Sequence, residues 1–362
     1  MKVIVVGAGV VGCAIAYELA VRGVQVHVID GRGPGLGATR ASAGMLTPYI
    51  EGHSAALLQL GVCGLEQYDR FISRVSSDAG APIEYRRIGT LQIAHDDAEA
   101  GKLAEEDRAL SAMGVAHSLL SGREARQLEP ALDARVTAGL RIPAHGYVGV
   151  QSLLSALVEA ATRRGAEFSV AHVHAIDGAA PVRVETTGGA LSADAVVVAA
   201  GSWSGGIVLA GRQAPVRPVR GQLLHLRLSE PPVSHVVWGA AAYLVPWQDG
   251  SVLVGATVED VGFDERVTVS GVRRLLDDGE RLVPALGNAA FHEARAGLRP
   301  ATADELPIIG ASSSMRGVYF ATGHYRSGVL LAPLTAALVA DQLVDGRERR
   351  ELALVRPDRF GL

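Results

Sequence analysis

The chain has 362 residues, of which 48% are hydrophobic and 20% charged, enough apolar mass for a large core and too ordered a composition for intrinsic disorder. A formal net charge of −4 argues against the basic surface that a nucleic acid or an anionic membrane requires, so neither is an expected partner. Two cysteines, Cys13 and Cys63, are too few for a disulfide framework or a thiolate zinc site and suit a reducing, cytoplasmic compartment.

In chain order, KVIVV (2–6) reads as a buried strand, residues 10–22 place apolar side chains at helical spacing, and 24–29 is a second strand. The turn between the first strand and the helix is GAGVVG. Gly7 allows the tight turn, Gly9 lets a pyrophosphate approach the backbone, Gly12 lets helix and strand pack closely, and the amides at Val10 and Val11 face an anion at the helix start. Asp30 closes the second strand 18 residues after Gly12, followed by Gly31, where a carboxylate can accept ribose hydroxyls. The opening run MKVIVVGAGVVGCAIA could pass for a signal peptide, but its glycines and the strand that follows argue for a folded nucleotide turn. No apolar run reaches the roughly 20 residues needed to span a bilayer.

The next loop, GRGPGLGATRASAGML, supplies further glycines and then Thr39 and Ser42, which suits a long dinucleotide such as FAD better than a nicotinamide nucleotide. An amphipathic segment at 55–76, short strand-like runs IEYR and TLQIA, a charged helix at 96–113 and a strong amphipathic helix at 151–164 follow. GAEFSV and ADAVVVAAG read as strands, the second buried and ending at Gly201. Between 216 and 299, QLLHLRL, AAYLVPW and SVLVGATV read as antiparallel strands joined by PP and DG turns, with one helix at 270–282. GVYFATG and 327–343 return to strand and helix. The expected fold is α/β: a Rossmann-type FAD-binding domain of three stretches (1–80, 145–215 and 300–362) with an inserted α+β antiparallel-sheet substrate domain (81–144 and 216–299). His172 and His174 lie two apart without a third ligand nearby, so no metal site is expected.

The loop ATRASAGML after GAGVVG, the segment YLVPWQDGSVLVGAT, and the pair AGLRPATADELPIIG and ATGHYRSGVLLAP resemble, in this order and over nearly the whole chain, the D-amino-acid oxidase superfamily of flavoproteins. Within it the chain is most similar to the glycine oxidase branch, which supplies an imine for thiamine thiazole synthesis. The resemblance implies a noncovalent FAD, because neither cysteine occupies the position at which related sarcosine oxidases attach flavin. It implies a small amino-acid or amine substrate such as glycine, sarcosine or a small D-amino acid. Hydride transfer to flavin N5 and oxygen as acceptor, with peroxide formation, complete the expected reaction.

Residue by residue, the same resemblance makes Arg299, in GLRP, the bidentate cation for the substrate carboxylate. Tyr243 supplies a second polar contact and Arg326 a further cation near flavin and substrate. Ala43, Gly44 and Met45 border the isoalloxazine, Ala38 and Thr39 the pyrophosphate and ribityl chain, and Val173 offers a backbone contact to adenine. The turn His324, Tyr325, Arg326, Ser327, Gly328, Val329 and Leu330 starts a helix that faces the flavin's pyrimidine edge. Two departures, Ala241 in place of a histidine and Val258 in place of a methionine, leave the preferred amine open. Relatives of this kind often form tetramers, so a homo-oligomer is expected. The rival expectations are a D-amino-acid or secondary-amine dehydrogenase with another acceptor, and a catalytically silent flavin-binding subunit; retention of Arg299 and Tyr243 favours an enzyme.

Overall fold

A strand that is apolar on both faces, as Lys2–Val6 is, belongs in the middle of a parallel sheet covered on both sides. In the computed structural model, which describes residues 1–362, it lies inside a six-stranded sheet ordered Ile308–Ala311, Val318–Thr322, Ala195–Val198, Lys2–Val6, Gln25–Asp30, Glu167–Val170. The strands run parallel, with Val5 opposite both Val197 and Val28, except for the antiparallel edge pair of Ile308–Ala311 and Val318–Thr322. Residues from the start, middle and end of the chain thus share one sheet.

Helices Val10–Val21, Ala55–Ala79, Val150–Arg163 and Gly328–Asp345 join that sheet in the largest core cluster. Ser54 caps the second of them, its Oγ accepting from Leu57 N at 3.2 Å. Gly328–Asp345 is long and apolar enough, by length and composition, to cross a membrane; here 67% of it is buried in the core. It packs closely on Ala55–Ala79, where a Cβ at Gly64 would lie 2.6 Å from the Leu330 carbonyl oxygen.

The second large sheet has eight strands, ordered Ala290–Ala301, Arg217–Arg227, Ser251–Gly255, Tyr243–Pro246, Val236–Trp238, Thr90–Ala94, Ala138–Ile142, Ser118–Ser121. Only the pairing of Val236–Trp238 with Thr90–Ala94 is parallel. Helix Val269–Leu282, capped by Thr268, adds Leu275 and Leu282 to this sheet's core. A boundary at 299/300 falls inside the strand Ala290–Ala301, which pairs with Arg217–Arg227 from Ala290 opposite Arg227 to Ala301 opposite Arg217. The strand carrying Arg299 therefore belongs to the large antiparallel sheet to its end. A four-stranded sheet that the pattern did not announce (Gly189–Ala193, Val182–Thr186, Val173–Asp177, Val208–Leu209) makes Val173 the first residue of a strand.

Candidate active site

Gly7 adopts φ 110°, and a Cβ there would lie 2.3 Å from the Ala199 carbonyl oxygen; a Cβ on Gly12 would lie 1.9 Å from the Gly7 oxygen. The turn is thus pressed between the neighbouring strand and its own helix, and only glycine fits at either position. Asp30 ties it to the second strand: Ala8 N donates to Asp30 Oδ2 at 2.8 Å, while Arg32 N and Gly33 N donate to Oδ1 at 2.8 and 3.0 Å. Three of the carboxylate's roughly four acceptor positions are filled, which leaves one for a ligand hydroxyl. Val10 N donates to Thr39 Oγ1 at 3.0 Å, so the following loop is held across the helix start.

These groups open onto a cavity of about 800 Å³. Gly7, Gly9, Val10, Val11, Asp30, Gly31, Ala38, Thr39, Ala43, Gly44, Met45, Val173, Gly201, His324, Tyr325, Arg326, Gly328 and Val329 line it, together with Arg299 and Tyr243. Three expected residues do not. Gly12 is spent on helix-to-strand packing, Ser327 is buried as the residue preceding the helix, and Leu330 lies in the core against Gly61 and Gly64. The donor set fits a dinucleotide: a helix N-terminus behind a side-chain-free turn, an acceptor carboxylate at the end of the next strand, and room before Gly9, where a Cβ would meet only Thr39 Oγ1 at 3.3 Å.

Leu298, fully buried, and Arg299 point to opposite faces of the edge strand Ala290–Ala301, where Pro300 is tolerated. The Arg299 guanidinium lies over Gly221 of the adjacent strand, whose added Cβ would sit 2.3 Å from its central carbon and both terminal nitrogens. Nη1 donates to the carbonyls of Thr257 at 3.0 Å and Arg220 at 3.4 Å. Burial draws the guanidinium's pKa below its ordinary value. Tyr243 packs its ring over Gly255 in the same way, its hydroxyl 2.4 Å from where a Cβ would be, and against Trp238 at 5.1 Å between ring centroids. Burial pushes the phenol up to about 12, so it is a hydroxyl donor at neutral pH. Tyr325, at φ 48°, donates its N–H to the Pro300 carbonyl at 2.8 Å, and this bond brings the Arg326 loop to the Arg299 strand. His324 Nε2 meets Thr335 Oγ1 at 3.0 Å; burial lowers its pKa to about 3 and keeps it neutral.

Several lining residues escaped the sequence reading. Glu51, at the end of the short helix Pro48–Glu51, is 8% exposed and enters the cavity beside Arg299, Tyr243 and Arg326, and Trp238, Ala240, Ala242 and Arg274 complete the wall around Ala241 and Val258. A lone glutamate in a polar-looking loop carries no local signal of burial. His172 packs over Gly31 and lines the cavity, whereas His174 is exposed outside it. The closest approach to a metal-binding group is His225, His292 and Glu293, whose ligating atoms lie within 4.8 Å, but Glu293 is already paired with Arg295 and lies 3.9 Å from Arg40.

Residues 2–342 match the family model described as FAD dependent oxidoreductase. A glycine oxidase of Geobacillus kaustophilus is 34% identical over 358 residues, covering 97% of this chain and 94% of the relative. A bifunctional protein ThiO/ThiG of Trichormus variabilis is 34% identical over 370 residues, 99% of this chain and 55% of that one. Among solved structures, the Geobacillus kaustophilus glycine oxidase superposes with a TM-score of 0.92 at 33% identity over 96% of both chains. The iminodiacetate oxidase of Chelativorans sp. BNC1 superposes with a TM-score of 0.90 at 29% identity over 98% of this chain. With the glycine turn, the acceptor carboxylate and the buried arginine in one cavity, the chain belongs to the FAD-dependent oxidoreductase family, as a glycine-oxidase-like member.

Proposed function

We propose that the protein oxidises the amine-bearing carbon of a small amino acid, such as glycine, sarcosine or a small D-amino acid, with oxygen as acceptor and peroxide as second product. The observation that carries this reading is the buried Arg299 guanidinium, anchored through Nη1 to two carbonyls and facing the same cavity as the dinucleotide turn. Its remaining N–H groups match a carboxylate in the bidentate manner. Tyr243 adds a hydroxyl donor beside it. A substrate held by these two groups has its α-carbon fixed, and orientation of this kind is worth a large part of a barrier.

Bound FAD supplies the two-electron acceptor. Gly328 and Val329 head an 18-residue helix whose first amides have no intrahelical acceptor, and at the cavity wall they would favour negative charge on a flavin bound there. Neither Cys13 nor Cys63 lines the cavity, in keeping with noncovalent binding. Ala241 and Val258 leave that wall apolar and open, and the iminodiacetate oxidase among the similar structures places secondary amines among the substrates to be tried.

Anaerobic addition of glycine, sarcosine, iminodiacetate and D-amino acids to the yellow holoprotein is expected to bleach the flavin absorbance, and admitting oxygen to restore it with peroxide. Bleaching without rapid reoxidation would identify a dehydrogenase. No bleaching by any amine would overturn the reading. Arg299→Leu is expected to raise KM by roughly 100-fold, the loss of a bidentate charge-assisted pair, with the flavin spectrum unchanged.

A further inference from the structure

Three carboxyl groups line the cavity, and two of them are committed. Asp30 receives the amides of Ala8, Arg32 and Gly33, and Glu265 is ion-paired with Arg32 at 2.7 Å. Glu51 is different: it is 8% exposed and pairs with neither nearby arginine, because Arg299 donates to the Thr257 carbonyl and Arg326 reaches the Tyr325 hydroxyl at 3.4 Å. Of the two imidazoles on the wall, His324 is held neutral against Thr335 and His172 lies beside Gly31. The phenol of Tyr243 keeps its proton at neutral pH. Glu51 is thus the proton acceptor left beside the clamp.

An amino acid enters largely as its ammonium form, and that nitrogen has no lone pair to support oxidation of the adjacent carbon. The guanidiniums of Arg299 and Arg326, the two nearest Glu51 among the arginines of the cavity, do not favour a further cation there. We propose that Glu51 takes the ammonium proton of the substrate held by Arg299: an N–H bond breaks, its electron pair stays on nitrogen, and the proton passes to the Glu51 carboxylate and then to solvent through the cavity mouth. No electron leaves the substrate in this step, which yields the free amine already oriented. The inference rests on the amine-oxidation reading above.

The groups facing Glu51 set the pH at which it works. Burial raises it to about 7, against the lowering pull of Arg326 and Arg299; Tyr243 is uncharged in this range. The acceptor form therefore grows as pH rises through neutrality, and the rate of flavin bleaching should rise with it.

The test measures anaerobic bleaching of the holoprotein by its best amine between pH 5.5 and 9.5, in the wild type, Glu51→Gln and Glu51→Asp. Glu51→Gln is expected to slow bleaching at pH 7 by roughly 100-fold, the usual worth of a placed acid or base, and to move the rising limb toward the substrate's own amine pKa. Glu51→Asp should restore a limb. Acetate, a carboxylate without an amine, gives a readout apart from turnover: its binding, followed by the flavin difference spectrum, should weaken roughly tenfold between pH 6 and 8 in the wild type and stay flat in Glu51→Gln. An unchanged bleaching profile in Glu51→Gln overturns the proposal. If that variant does not retain flavin, wild-type acetate affinity that is flat across pH 6 to 8 does so instead. A wild type that no amine bleaches would sink the amine-oxidation reading, a result separate from these.

Discussion

Gly221 shapes the substrate clamp by having no side chain. The Arg299 guanidinium occupies the space where its Cβ would stand, and Tyr243 does the same over Gly255. Gly221 is in a strand interior, where the residue type weakens the ladder, so it is retained at some cost in stability, and Gly255 ends its strand. In Gly221→Ala the atom that must yield is the far end of a flexible side chain rather than backbone. The variant is therefore expected to fold and keep FAD while its substrate KM rises at least roughly tenfold, about 1.4 kcal/mol of lost clamping. Steady-state kinetics beside the flavin spectrum checks this; a normal KM would mean that Arg299 is not positioned by Gly221.

The strand, turn and helix at the N-terminus divide their glycines between two jobs, and substitution can separate them. A Cβ at Gly12 meets the Gly7 carbonyl oxygen at 1.9 Å, which only separation of helix from strand can relieve. Gly12→Ala should destabilise the protein by several kcal/mol, the scale of a core overpacking or worse, or prevent folding. A Cβ at Gly9 meets nothing closer than Thr39 Oγ1 at 3.3 Å, but it stands where a phosphate must approach. Gly9→Ala is expected to fold with near-native far-UV circular dichroism and to purify with little or no flavin. Flavin occupancy equal to the wild type in Gly9→Ala would show that the dinucleotide does not lie against this turn. The element also explains why Gly12 is absent from the cavity wall although it belongs to the same six-residue signature.

For the whole molecule, two buried histidines contribute to the acid side of the stability profile. His145 accepts from Tyr49 N at 3.4 Å, meets Thr90 Oγ1 at 2.8 Å, and is lowered to about 3 by burial and then by Arg87. His324 is lowered to about 3 by burial. Their folded pKa values lie below the unfolded value near 6.5, so their contribution is complete above about pH 6.5 and is lost as pH falls toward 3. In that window each group removes about 1.4 kcal/mol of stability per pH unit, about 3 kcal/mol for the pair. Glu51, raised to about 7, acts in the opposite sense over this range and offsets part of that loss, so denaturant midpoints measured from pH 7 to 4.5 should fall, and His145→Gln should fall less per pH unit than the wild type. An unchanged slope in that variant would mean that His145 charges within the folded protein.

How much was legible follows from how local each interaction is. The nucleotide turn could be read because its chemistry is backbone conformation: Gly7, Gly9 and Gly12 act within one strand, turn and helix, and Asp30 sits at the end of the very next strand. Periodicity likewise marked helices such as Ala55–Ala79 and Val150–Arg163, since an amphipathic face depends only on neighbours three and four residues away. Arg299, Tyr243 and Arg326 could be named from the motifs around them, but not the spaces they occupy. Those are made by Gly221 and Gly255 across strand pairings, and by the bond from Tyr325 to Pro300 that joins two sheets. Glu51 was invisible for the same reason. A carboxyl group's proton affinity is set by solvent exclusion and by charges from distant parts of the chain, and only the folded molecule buries residue 51 beside residues 243, 299 and 326.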